Sequence, residues 1–109
     1  MFKKVRAPAQ FSAAIIEHGN LLSAFLAGVF SQAHADTIVL QIFCKGKSYS
    51  FNLSGAMVWL LIEHVESTEA LVAKMCSFYP SVSVNEMEGH VRSIIGMMIN
   101  DGLLFPTDP

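Results

Sequence analysis

At 109 residues the chain has room for one core and one domain, and not for a second. Hydrophobic residues make up 52% and charged ones 15%, so apolar surface is left over for a partner, and oligomerisation, a homodimer in the simplest case, stays open. A net charge of −2 offers no charge-driven hold on a polyanion.

Residues 1–36 form an amino-terminal segment of their own. MFKKVR is basic, LLSAFLAGVF is an apolar run, and AHA stands before Asp36, a pattern that also fits a secretory signal cleaved after Ala35. The stretch holding Pro8, Glu17 and His18 separates the basic cluster from the apolar run, an awkward layout for a signal. The run also falls well short of the length a bilayer requires. The reading preferred is an ordered segment in a cytoplasmic chain, with QFSAAIIEHGN as a strand or short helix and LLSAFLAGVFSQA as an apolar helix.

From Thr37 the pattern sharpens. TIVLQIF, Thr37 to Phe43, is rich in β-branched and aromatic residues, and KSYSFNL, Lys47 to Leu53, alternates with period two. CKGK between them places Gly46 where a tight hairpin asks for positive φ. Lys45 and Lys47 flank that turn, as charges do where an edge strand must avoid sticking to a neighbour. An antiparallel hairpin follows.

Three helices account for the rest. YSFNLSGAMVW changes from strand period to helix period in its middle, and Asn52, Ser54 and Gly55 are suited to open a helix over about Gly55 to His64. Its apolar face is Met57, Leu60 and Leu61, with Trp59 as an anchor at the junction. Ser67 opens a second helix with an acidic first turn, striped by Leu71, Val72, Met75 and Phe78 and stopped near Tyr79 by Pro80. Ser83 with Glu86 has the spacing of a capping box, and Met87, Val91, Ile94, Ile95 and Met98 give the third helix a long apolar face ending at a Gly102 cap. Leu103-Leu104-Phe105 returns as an extended segment. The sum is an α+β, winged-helix-like domain over 37–109: a hairpin or small antiparallel sheet, then a three-helix bundle.

Little here suggests catalysis. His18, His34, His64 and His90 are scattered, and none lies at catalytic or metal-binding spacing from a Cys, an Asp or another His. Cys44 and Cys76 lack a CxxC arrangement and read as buried reduced thiols. Glu63-His64 with Glu66 reads as a solvated cluster at a helix end.

In order and spacing, YSFNLSGAMVWLLIE, STEALVAKMCSFYP and EMEGHVRSIIGMMINDGLL resemble the PqqD-like family, the small peptide-binding domains also called RiPP recognition elements. The matching positions are Tyr49, Asn52, Gly55, Val58, Trp59, Thr68, Leu71, Val91, Gly102, Leu103 and Leu104, and the resemblance runs from about Thr37 to Phe105. Phe51 replaces the usual Leu, His90-Val91 stands where Asp-Val is common, and the first 36 residues have no clear counterpart.

The resemblance implies a non-catalytic protein without cofactor or metal. Such a protein captures the leader of a ribosomally made precursor peptide and presents it to a modifying enzyme, a radical SAM protein in pyrroloquinoline quinone (PQQ) synthesis. The leader is expected to add as a strand beside Lys47, Ser48, Tyr49, Ser50 and Phe51, with His90, Ser93, Ile94 and Met97 of the third helix on the other wall. Tyr49 and Ile94 also read as core, Met97 as packing and Lys47 as a solvated turn charge.

Two other functions stay open. A winged-helix DNA-binding regulator would share the fold, but from Ser54 onward two cations stand against seven carboxylates, and the reading adopted has no nucleic-acid partner. A bare interaction subunit would dock through the apolar segment 21–33. No membrane partner is expected.

Overall fold

The computed structural model describes residues 2–12 and 38–107. The expected boundary at residue 36, the apolar helix and the cleavage position after Ala35 lie outside the described residues. The elements in chain order are β1 (Phe2–Lys4), β2 (Ala9–Phe11), β3 (Leu40–Cys44), β4 (Lys47–Phe51), α1 (Leu53–Leu61), a 3-10 turn (Ile62–His64), α2 (Thr68–Phe78), α3 (Val84–Asn100) and β5 (Leu104–Pro106). Antiparallel strands followed by three α-helices make the α+β fold that the periodicities call for. The chain divides into two compact units, Ala7–Ala56 and Met1–Arg6 with Met57–Pro109.

In the first unit β2, β3 and β4 form an antiparallel sheet in that order. The β3–β4 hairpin closes on the pair Cys44 and Lys47, with both turn residues left-handed, Lys45 at φ 52° and Gly46 at φ 79°. That is a two-residue type I′ turn, whose twist suits the strands it joins. Leu40, Ile42, Cys44 and Phe51 are buried along one face of the sheet, whereas Phe43, Ser48 and Ser50 alternate onto the open face. The strand expected from Thr37 to Phe43 is β3 from Leu40: Ile38 is exposed, and Val39 meets β4 only through its N–H, which donates to the Phe51 carbonyl at 2.8 Å.

Asn52 makes the strand-to-helix junction. Its side-chain oxygen accepts the Gly55 N–H at 3.1 Å and the Ser54 hydroxyl at 3.1 Å, and its carbonyl accepts the Ala56 N–H at 2.9 Å. These are the bonds of an N-cap residue. Gly55 lies so close under the preceding strand that a Cβ there would stand 3.1 Å from Phe51 Cδ1 and 3.2 Å from its Cβ.

In the second unit β1 pairs with β5, Phe2 opposite Pro106 and Lys4 opposite Leu104, and the Val5 N–H continues the ladder to the Leu103 carbonyl at 2.9 Å. Its core holds Met57, Val58, Trp59 and Ile62, Leu71, Val72 and Met75 of α2, the stripe Met87, Val91, Ile94, Ile95 and Met98 of α3, and Leu103 and Leu104. Ser67 and Ser83 cap α2 and α3, their hydroxyls accepting the N–H of Ala70 at 3.1 Å and of Glu86 at 3.2 Å. Past α3, Gly102 at φ 75° lets its N–H reach the Ile99 carbonyl and that of Leu103 the Met98 carbonyl, a Schellman motif.

Three expectations need correction. The stripe expected on α1 differs, because Ala56, Met57, Val58, Trp59 and Ile62 are buried while Leu60 and Leu61 are only partly so. A helix covered on several sides loses the single-face pattern that periodicity detects. The cluster of Glu63, His64 and Glu66, read as solvated, is in part held from β1: Lys4 is 15% exposed at its side chain, pairs with Glu63 at 2.8 Å and sits 4.7 Å from the Trp59 ring centroid. Glu63 is therefore engaged rather than merely solvated. Cys44 and Cys76 are both free thiols, but Cys76 is only partly buried.

Candidate functional site

The backbone of β4 sets what this edge can do. Phe43 donates its N–H to the Pro8 carbonyl at 2.9 Å, away from β4, while standing opposite Ser48 in the register. Opposed residues of an antiparallel pair alternate between bonded and non-bonded pairs, so Phe43 with Ser48 is non-bonded, as is Gln41 with Ser50. The N–H and C=O groups of Ser48 and Ser50 therefore point away from β3. Among the described residues no strand lies beyond β4, whose sheet order ends there. Four backbone groups are aligned to receive an extended chain.

The side chains of this edge divide between its two faces. Lys47 is exposed, Tyr49 half-buried and Phe51 buried on the core side, with the Phe51 carbonyl already used by Val39. Ser48 and Ser50 are exposed on the other side, where Gln41 Nε2 approaches Ser50 Oγ at 3.5 Å. Beside Ser48 stands Phe43, 40% exposed. Sequence reasoning passed over Phe43, although the burial of Leu40 and Ile42 within the same strand alternation turns it outward.

The third-helix candidates lie in the other unit and divide by exposure. His90, Ser93 and Met97 share the open side of α3, Met97 at 46%, whereas Ile94 belongs to the buried stripe. The helix bears little cationic potential: Arg92 is held by Glu88 at 3.0 Å and lies 3.8 Å from Glu69 of α2. Glu86 and Glu88 leave it acidic at its start.

Among the described residues no group of three His, Cys, Asp or Glu side chains could hold a metal ion, and no helix is long and apolar enough to cross a membrane. Among the described residues, burial pushes the Tyr79 phenol, at the end of α2, above its ordinary value of 10.0.

No curated protein and no solved structure matches this chain. A family model does, that of coenzyme PQQ synthesis protein D (PqqD), over residues 32–104, which takes in β3, β4 and all three helices. With more than half of its length matched by that model, the chain belongs to the PqqD family.

Proposed function

We propose that the protein is a non-catalytic peptide-binding partner in the making of PQQ or another ribosomally derived product. It captures the leader of a precursor peptide as a fourth strand on β4 and holds it for a modifying enzyme such as a radical SAM protein. The observation that carries this reading is the outward pair of Ser48 and Ser50 backbones on the edge of β4 that faces away from β3, where no described strand lies, in a chain of the PqqD family. Backbone bonds supply affinity for any extended peptide, and alternate side chains supply selectivity. The capped junction at Asn52 favours a β4 that is ordered before the peptide arrives, which lowers the entropy lost on binding. The resemblance adds His90, Ser93, Ile94 and Met97 as a second set of contacts.

Titrating the isotopically labelled protein with the leader peptide encoded beside its gene tests both sets at once. Backbone amide shifts concentrated in Lys47 to Phe51 support strand addition, and shifts from His90 to Met97 support the α3 contacts. A peptide that binds without moving the Ser48 and Ser50 amides would refute the edge assignment. A duplex DNA titration at low salt gives the contrary outcome its chance, since a DNA reader binds there with affinity that falls steeply as salt rises.

A further inference from the structure

Strand addition on β4, if it occurs as proposed above, fixes where each side chain of the incoming peptide goes. We infer that this chain selects leaders carrying a large apolar residue opposite Ser48, and that Phe43 is the residue that reads it. The inference rests on the peptide-binding reading and goes further, because it assigns a specificity-determining side chain on the open face of the sheet.

The register supplies the first step. Ser48 and Ser50 offer their N–H and C=O groups to the free edge, so the peptide residues directly opposite them form bonded pairs with them. In such a pair both side chains leave the sheet on the same face. For Ser48 and Ser50 that is the face of Phe43 and Gln41, not the face of Leu40 and Ile42. Peptide residues between these two turn to the Tyr49 side.

Size supplies the second step. Across the open face the row through Ser48 reads Phe43, Ser48, then the peptide residue, and the row through Ser50 reads Gln10, Gln41, Ser50, then the peptide residue two positions away. Serine is short, so a leucine, methionine or aromatic side chain on the peptide can lean over Ser48 and meet the exposed flank of the Phe43 ring. Neighbouring strands lie roughly 4.8 Å apart, so a residue two strands from Phe43 starts about 10 Å away, a gap that two long side chains can span across one short one. The second row holds amides and a hydroxyl and favours a polar peptide residue. The expected motif is thus a large apolar and a polar residue two positions apart, both facing outward. Phe43 gains from this, since its ring stands 40% exposed in the free chain and would shed water on binding.

The test pairs protein and peptide variants. The probe is the synthetic leader encoded beside the gene, together with a series in which each position in turn is alanine. Phe43→Ala and the strand-favouring Phe43→Thr are compared with the unaltered protein, and the amide spectrum of each free variant verifies its fold. Affinity is expected to drop about five- to tenfold for both variants, and to drop no further when the peptide carries alanine opposite Ser48. Leader binding that moves the Ser48 and Ser50 amides yet is unchanged in both Phe43 variants would overturn this inference and leave the strand-addition reading standing. A leader that moves neither amide would overturn both. Equal losses with every alanine peptide would show that Phe43 acts on the sheet and not on one peptide residue, and would also overturn the inference.

Discussion

Two residues just past β4, Asn52 and Gly55, set how the sheet passes into α1. Asn52 was legible as a helix opener because a short amide beside Ser54 and Gly55 suits an N-cap, and its bonds to Gly55 and Ser54 bear that out. Asn52→Ala should cost about 1 kcal/mol in urea unfolding, the usual loss of such a cap. The reason for Gly55 was not legible, because its φ is ordinary and the constraint comes from Phe51. A methyl group would press on that ring, which is 4% exposed and has no room to withdraw, so Gly55→Ala should destabilise by ~1–3 kcal/mol despite its better helix propensity. A stabilised Gly55→Ala protein would refute the close approach. Tyr79 gives a pH signature. Its phenol holds its proton to higher pH in the folded chain than in the unfolded one, so its contribution is fully present below pH 10 and is lost as pH rises through the raised value. Tyr79→Phe should flatten that alkaline fall in a series of urea melts.

At the scale of elements, the hairpin and the two later helices were legible because their determinants are local. Lys45-Gly46 fixes a two-residue turn, and Ser67 and Ser83 cap α2 and α3 with the residue three positions on. The burial of α1 and the length of β3 were misread, since each depends on what covers the element rather than on its own period. The candidate edge stands between these cases. Alternation shows which way Ser48, Tyr49 and Ser50 face, yet only the Phe43 to Pro8 bond shows which backbones are spent and which are open. Lys47→Glu and Met97→Ala test the two elements separately. Both side chains are exposed, so melting should hardly change while leader affinity falls on the order of three- to tenfold in calorimetric titration. A fall with one variant alone would retain that element and remove the other.

For the molecule as a whole, the pairing of β1 with β5 joins the two ends of the described chain. It holds the Leu103 carbonyl and sets Lys4 against Trp59 and Glu63. Deleting Phe2–Lys4 should therefore lower the unfolding free energy by more than about 1 kcal/mol and shift Trp59 emission, because β5 loses its partner and the indole its cover. Unchanged stability and emission would show that the ribbon is incidental. The sequence by itself determined the caps, the hairpin turn, the α3 stripe and the ordered motifs that marked the PqqD family, because each depends on residues a few positions apart. Only the tertiary structure decided that a basic amino-terminal run is a strand, that α1 is buried on more than one side, and that Ser48 and Ser50 have backbone groups to offer. Those outcomes depend on which distant segments come together, and the cost of closing such long loops is met by contacts that no local pattern encodes.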